Sequence, residues 1–346
     1  MQGFLTFILI LSFILPCLCT RLNVGTTNAI YNVMQYGAHG DGKTDDSQAF
    51  INAFNSACKA TGMSTLVIPA GKTFMVSKVI FSGRCNAKVR IQLEGQIVAP
   101  SKANSKAQSY WFTIEYVNGL TIDGNGQGGL DGDGSTWWES GGERPGALLF
   151  HSCNDLSVSN LRITNSPSSH VSINMCNRTT FSHVSINSPA TSPNTDGFDI
   201  SFSTDIRIEN SNIKSGDDCI AVNGGSNFIN VTGVTCGPGH GISVGSLGKK
   251  RTNDQVSDVH VRNCTFKETQ NGARIKTVPG GSGYARHITY DQIILVNVKN
   301  SIIIDQYYND IIPQAGDVSV SDVTYRGFTG TSANDLAIQL NCGSSG

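Results

Sequence analysis

Three polar residues that could carry out acid–base chemistry recur at equal spacing in the second half of the chain. Asp196, Asp218 and His240 are separated by 22 residues and then by 22 residues again. Each is followed by apolar residues two and four positions later, which is typical of the start of a β-strand. In a chain that coils with one turn per repeat, this spacing stacks the three side chains in a column, with Asp217 beside it.

A column of carboxyl groups favours chemistry that needs an acid and a base together. Neighbouring strands lie about 4.8 Å apart, so Asp196 and Asp218 would be too close to ionise independently. One protonated carboxyl and one charged carboxylate are what cleavage of a glycosidic bond requires. Two carboxyl groups that are far apart leave room for a water and invert the anomeric centre, whereas two that are about 5 Å apart retain its configuration. The sequence leaves both outcomes open. Taken singly, each aspartate could equally be an ordinary turn residue.

Two cations occupy the repeat that follows His240. If Ala273 and Ile275 point inward, the alternation of a strand places Arg274 and Lys276 on the outer face together. There they could hold an anionic substrate, since a guanidinium group can bind a carboxylate through two hydrogen bonds. The alternative is that they only compensate the charge of the acidic column.

The elements that position these residues are short strands in a repeated pattern. Apolar residues alternate in each repeat, which predicts strands rather than helices. Two or three short strands cannot enclose a core alone, but stacked repeats bury their inward residues against one another. The sequence therefore predicts an all-β fold, a parallel β-helix forming one domain. The pattern occurs at residues 156–163, 179–186, 206–213, 229–236, 259–266, 288–295 and 318–325.

One helix is predicted near the start of the chain, where it would cap the open end of the β-helix. Asp45 or Asp46 can cap the helix N-terminus. An apolar stripe at helical spacing would face the core. It consists of Ala49, Phe50, Ala53, Phe54 and Ala57.

The composition excludes some classes of partner. The formal net charge of the 346 residues is −1, and only 15% of them are charged. This balance gives no general attraction for nucleic acid or for an anionic membrane, so any binding of anions must be local.

The two ends of the chain lead to separate expectations. Residues 4–18 are almost wholly apolar and precede Cys19 and Thr20, so residues 1–20 are expected to be a signal peptide. An uncleaved anchor is the alternative. Residues 21–346 would then be the β-helix domain, and we expect its last C-terminal turns to be missing, which would leave Cys342 without a partner.

The cysteines fit an exported protein. Of the ten cysteines, Cys17 and Cys19 belong to the predicted signal peptide, and an even number remains. In an exported chain this favours disulfides over metal binding. Cys219 and Cys236 could pair, and the other connections stay open. Three triplets match the N-glycosylation acceptor, beginning at Asn177, Asn230 and Asn263.

Four short segments, in this order and spacing, resemble the signature of polygalacturonases, glycoside hydrolase family 28, of the plant type. They are Asn194-Thr-Asp-Gly, Gly216-Asp-Asp, Gly239-His-Gly and Arg274-Ile-Lys. The resemblance implies a right-handed, single-stranded β-helix that hydrolyses the α-1,4 bonds of polygalacturonate with inversion.

The resemblance also implies roles for individual residues. Asp217 would donate the proton to the leaving group, and Asp196 and Asp218 would activate the water. His240 would orient or tune the acid. No metal and no cofactor are implied.

Four residues would bind the substrate by the same resemblance. Arg274 and Lys276 would hold its carboxylates, and Tyr308 and Asn194 would contact the sugar chain. We expect a secreted monomer of the cell wall whose partner is pectin. Two alternatives are a pectin-binding relative without activity and a calcium-dependent pectate lyase.

Overall fold

The computed structural model describes residues 28–105, 108–139, 142–308 and 316–343. Within these ranges the chain winds as a right-handed parallel β-helix, as predicted. The predicted signal peptide, residues 1–20, lies outside the described residues.

Short strands make up most of the described chain, and all of their pairings are parallel. In chain order the strands are β1 (Asn28–Asn32), β2 (Asp41–Asp45), β3 (Gly62–Ile68), β4 (Thr73–Met75), β5 (Val79–Ser82), β6 (Ala87–Leu93), β7 (Gln96–Val98), β8 (Tyr110–Glu115), β9 (Thr121–Asp123), β10 (Gly129–Asp131), β11 (Gly146–His151), β12 (Asn154–Ser159), β13 (Arg162–Thr164), β14 (Val171–Asn174), β15 (Asn177–Ser182), β16 (Ser185–Asn187), β17 (Phe198–Ser201), β18 (Thr204–Glu209), β19 (Asn212–Lys214), β20 (Ile220–Val222), β21 (Ser226–Thr232), β22 (Thr235–Cys236), β23 (Ile242–Leu247), β24 (Asn253–Arg262), β25 (Thr265–Lys267), β26 (Asn271–Thr277), β27 (Ser282–Val298), β28 (Asn300–Asp305), β29 (Ser319–Ser332) and β30 (Ile338–Asn341).

The strands form two sheets that run along the axis of the β-helix. The smaller sheet, which carries the candidate site, consists of β5, β8, β11, β14, β17, β20, β23, β26, β28 and β30. The other strands belong to the larger sheet.

The predicted repeat places the same position of each turn in direct register with the next. Leu156, Thr179, Ile206 and Ile229 are successive partners in the larger sheet, and all four are buried. Because every turn contributes apolar side chains at these positions, the core is a continuous stack along the axis. A shift by one residue would turn these side chains outward, so burial fixes the register.

The corners of the coil need residues that accept a positive φ angle. Asn160, His183 and Asn210 follow paired strand ends in three successive turns and have φ angles of 55°, 54° and 47°. Asn, Asp and His tolerate this left-handed conformation better than other residues with a side chain. These three turns therefore change direction without glycine, whereas Gly233, with a φ angle of 68°, takes the same place in the next turn.

The predicted helix is α1 (Ser47–Lys59), and the residues of its predicted apolar stripe are all buried. Phe54 stacks on Phe81 of β5 with ring centroids 4.2 Å apart, which joins the helix to the first turns. Asp45, rather than Asp46, accepts a hydrogen bond from the Ser47 backbone N–H. The Asp46 carboxylate instead accepts from the backbone of His39 and Gly40 and fixes the preceding loop.

The other helices are short. α2 spans Ser135–Trp138, and three 3₁₀ turns lie at Val33–Tyr36, Lys102–Asn104 and Lys249–Arg251. In the described part of the chain, no helix has both the length and the apolar character needed to cross a membrane.

Two disulfides form among the described residues. One joins Cys219 and Cys236, as the sequence suggested, and the other joins Cys58 and Cys85. The other cysteines that the structure describes are not disulfide-bonded, so the expectation from the even count holds only in part. Buried cysteines can serve as small apolar side chains in a core, which is how three of these are placed. They are Cys153, Cys176 and Cys264, while Cys342 is exposed.

Candidate active site

The register of the smaller sheet builds the predicted column. The first apolar residues of β17, β20 and β23 pair directly with one another. Asp196, Asp218 and His240 each lie two positions before those residues. They therefore occupy the same place in three successive turns, although they are far apart in the sequence.

Asp218 is the most enclosed carboxylate of the column, with no exposed side-chain surface. It accepts hydrogen bonds from Arg274 Nη2 at 2.5 Å, Lys276 Nζ at 2.7 Å and Ser243 Oγ at 2.9 Å. A buried carboxylate is tolerated only when it is paired in this way. Charge compensation, which the sequence left as an alternative, is therefore at least part of what the two cations do.

Ser243 was not singled out from the sequence. Its hydroxyl group accepts a hydrogen bond from Arg274 Nε at 2.9 Å and donates to Asp218, so it links the cation to the carboxylate. Ser243 pairs with Arg274 in the sheet register and shares its outward face. The alternation in His240-Gly-Ile-Ser was the signal that could have identified it.

Asp217 directly precedes Asp218, but its carboxyl group bonds to a different side chain. Its Oδ1 atom is 3.0 Å from His240 Nδ1 and also accepts the backbone N–H of Asp218 at 2.9 Å. The side chains of Asp217 and His240 are 22% and 33% exposed, so both can reach a ligand in the cleft.

The local environments shift the carboxyl groups in opposite directions. Burial, followed by the charges of Asp199, Asp217 and Asp218, raises the pKa of Asp196 well above its ordinary value. Burial also tends to raise the pKa of Asp217, but the hydrogen bond and charge of His240, with the charge of Lys276 and the Asp218 backbone N–H, lower that pKa overall. In the free protein these environments favour the protonated form of Asp196 and the ionised form of Asp217.

A fourth carboxyl group, Asp199, belongs to the same cluster and was missed in the sequence. Burial and the charges of Asp218 and Asp217 raise its pKa from 3.8 to about 6. It lies three residues after Asp196, where strand alternation turns it to the outer face. The segment Asp196-Gly-Phe-Asp already contained this signal.

These raised pKa values predict that stability falls as the pH rises. Because the pKa of Asp199 is higher in the folded chain than the 3.8 of an unfolded one, the folded state binds the proton more tightly. The contribution of this proton to the free energy of unfolding is complete below pH 3.8 and is lost as the pH rises through the folded-state pKa of about 6. We expect Asp199→Asn to remove about 1–3 kcal/mol of this pH dependence, measured by denaturant unfolding at several pH values. An unchanged slope would contradict the burial of this carboxyl group.

Tyr308 faces the two cations, as the predicted binding set requires. Its ring centroid is 5.0 Å from Lys276 Nζ and 5.8 Å from Arg274 Cζ, which are cation–π distances. The phenol ring thus forms a wall beside the cations on the side of the later turns.

Asn194 lies on the rim of the cleft rather than in its floor. The residue is exposed, has a φ angle of 54°, and its Oδ1 atom accepts a hydrogen bond from Arg144 Nη2 at 2.6 Å. Arg144 comes from a loop 50 residues earlier, and no local pattern pointed to it. This contact holds the Arg144 cation beside Asn194, two residues before Asp196.

The glycine after His240 is required by packing. Gly241 has a φ angle of +91°, and a Cβ atom there would lie 2.3 Å from the backbone oxygen of Asn271 in the next turn. Close stacking of two turns therefore explains this glycine without invoking the approach of a ligand.

Asp217, Asp218 and His240 could in principle coordinate a metal, because one ligand atom from each lies within 4.8 Å of the others. However, both carboxylate oxygens of Asp218 already accept from Arg274 or Lys276. A metal ion would have to displace these cations or bear their repulsion. The arrangement favours acid–base chemistry by the side chains themselves.

Comparisons with known proteins agree with this geometry. The sequence model of "Glycosyl hydrolases family 28" matches residues 58–346. A probable polygalacturonase of Arabidopsis thaliana is 46% identical over 334 residues, which are 93% of this chain and 72% of that protein. A polygalacturonase of Persea americana is 40% identical, over 91% of this chain and 70% of its own length.

Solved structures give the same result at the level of the fold. An endo-xylogalacturonan hydrolase from Aspergillus tubingensis superposes with a TM-score of 0.80 at 25% identity, covering 91% of this chain and 96% of that one. Endopolygalacturonase I from Stereum purpureum superposes with a TM-score of 0.64 at 25% identity, over 85% and 88% of the two chains. With the stacked carboxyl groups and the extent of the sequence match, these similarities show that the chain belongs to glycosyl hydrolase family 28.

Proposed function

We propose that the protein is a polygalacturonase that hydrolyses the α-1,4-galacturonosidic bonds of polygalacturonate with inversion. The observation that carries this proposal is the contrast between the adjacent residues Asp217 and Asp218. Asp217 faces the cleft beside the imidazole of His240, whereas Asp218 is buried and paired with two cations. Together, the two aspartates and their partners supply a proton donor, a carboxylate and positive charge in one place.

In the proposed reaction, Asp217 donates the proton to the oxygen of the departing sugar. His240 Nδ1 lies within hydrogen-bond distance of Asp217 Oδ1 and orients this carboxyl group, and the same contact lowers the pKa of Asp217. Asp218 and Asp196 hold and activate the attacking water on the opposite face of the sugar. Asp196 must lose its proton to act as a base. The charge of Lys276 favours this loss because it lowers the pKa of Asp196, whereas the neighbouring carboxyl groups raise that pKa.

Substrate carboxylates bind to Arg274 and Lys276. Arg274 donates from Nε to Ser243 and from Nη2 to Asp218, and Lys276 donates to Asp218, so both retain further N–H groups. Those groups lie beside the Tyr308 ring, which gives the sugar a flat surface. Asn194, on the rim, contacts the chain as it enters.

We further propose that the protein acts outside the cell, in the wall, as a monomer. Residues 1–20 would direct export, and the disulfides Cys58–Cys85 and Cys219–Cys236 fit an oxidising compartment. Of the glycosylation triplets, the one at Asn263 begins at an exposed corner residue, which is the most accessible of the three positions.

The test of this function is the type of product formed from de-esterified pectin. We expect new reducing ends, no absorbance from a new carbon–carbon double bond, and no loss of activity with a calcium chelator. A chelator-sensitive double bond would instead show a lyase, and binding without turnover would show a pectin-binding protein.

A further inference from the structure

A depression of about 400 Å³ lies on the outer face of the smaller sheet, lined by residues from Tyr110, the first residue of β8, to Asn223, just after β20. Asp199 belongs to its lining and joins it to the catalytic centre, because the charges of Asp217 and Asp218 act on its carboxyl group. The depression therefore continues the cleft away from Arg274 and Lys276, towards the earlier turns.

A chain of hydrogen bonds builds the floor of this depression across three successive turns. His151 Nδ1 lies 2.8 Å from Asn174 Oδ1, and Asn174 Nδ2 donates to Ser201 Oγ at 2.9 Å. The side chains are half-buried, and Tyr110 forms a wall beside them. Amide, hydroxyl and imidazole groups bind sugar hydroxyls as donors or acceptors and need no charge on the ligand.

The charge of the two sides of the cleft differs. Arg274 and Lys276 supply positive charge among the later turns. The described lining of the depression contains neither lysine nor arginine, and its one acidic residue is Asp199. Arg144 lies on the rim, where it donates to Asn194, and is not part of that lining. A uronate carboxylate placed here would meet Asp199 with no described lysine or arginine opposite it.

We infer that this depression binds an uncharged uronate unit, such as a methyl-esterified galacturonate, while the later turns bind a free carboxylate. The inference rests on the proposed hydrolysis of galacturonan and adds a preference for partly esterified chains. At a pH above the Asp199 pKa of about 6, where this carboxylate is charged, like-charge repulsion disfavours the free acid at this position, and the polar floor accepts the ester.

The test compares products from partly methyl-esterified oligogalacturonates of one length. Sequencing of the products by mass spectrometry locates the esters relative to the cleaved bond. We expect an ester at one fixed distance on one side of that bond, enriched about tenfold over the free acid. Asn174→Lys, which places a cation in the depression, should abolish or reverse this enrichment, and Asn174→Asp should strengthen it.

Ser182→Lys is the matched control. Ser182 lies in β15 of the larger sheet, where its partner in the next turn is Glu209. The Ser182→Lys variant adds the same charge away from the cleft, so it should leave the position of the ester unchanged. Active enzyme that shows no ester enrichment would overturn this inference alone. A protein that cleaves none of the oligomers would overturn the proposed function, and this inference with it.

Discussion

Asp217→Asn should lower kcat on polygalacturonate by about 10²–10⁴-fold, the usual contribution of a general acid. The amide cannot deliver a proton to the departing oxygen, but it has the same shape as the carboxyl group. It can still accept from His240 and from the Asp218 backbone, which are the contacts of Asp217 in the cleft. KM should change little, because the bonds to the substrate carboxylates are made elsewhere.

The control for this variant is Asp205→Asn. Asp205 is half-buried in the larger sheet, where it pairs with Arg207 at 3.0 Å. The same change of charge there should leave kcat within about twofold, because the pair lies in the larger sheet and a partly exposed ion pair contributes little to stability. Full activity of Asp217→Asn, with unchanged folding, would remove Asp217 from the reaction.

Arg274→Met should destabilise the protein by about 3 kcal/mol, because among the described residues it leaves the buried Asp218 paired with Lys276 alone. The same variant should raise KM for polygalacturonate, since a donor for the substrate carboxylate is lost. Unfolding in denaturant measures the first effect and steady-state kinetics the second.

Arg90→Met is the matched control for stability. Arg90 pairs with Asp123 at 2.9 Å, but its side chain is 49% exposed. Its loss should cost at most about 1 kcal/mol.

A double-mutant cycle measures the interaction energy between Arg274 and Asp218 separately from the other effects of losing the arginine side chain. Adding Asp218→Asn to Arg274→Met removes the poorly compensated charge and should restore part of the stability. If the two substitutions are simply additive, the two side chains do not interact as described.

Much of the fold could be predicted because one turn of the β-helix is encoded locally. Alternating apolar residues define each strand, and equal spacing defines the register. This is why Asp196, Asp218 and His240 were placed correctly in one column from positions 22 residues apart. The helix α1 followed from its apolar stripe in the same way.

The parts of the site that could not be predicted depend on how side chains meet between turns. Asp218 could be placed in the column, but its burial against Arg274 and Lys276 depends on the lateral offset of three turns. The contact between Arg144 and Asn194 joins a loop to a corner 50 residues away, and neither segment has a period.

The cysteines illustrate the same limit. Cys219 and Cys236 lie close enough in sequence for their pairing to be proposed, whereas Cys153 and Cys176 had no local signal for remaining reduced in the core. Whether two cysteines bond depends on the direction of their Cβ atoms, which spacing alone does not give.

The most direct test of the whole account is proton NMR of polygalacturonate during the first minutes of cleavage. The roles that the family resemblance assigns, with Asp217 as proton donor and a water as nucleophile, predict that the β-anomer of the new reducing end appears first and that no double bond forms. Initial release of the α-anomer, or the appearance of an unsaturated sugar, would contradict the proposed roles of these two residues.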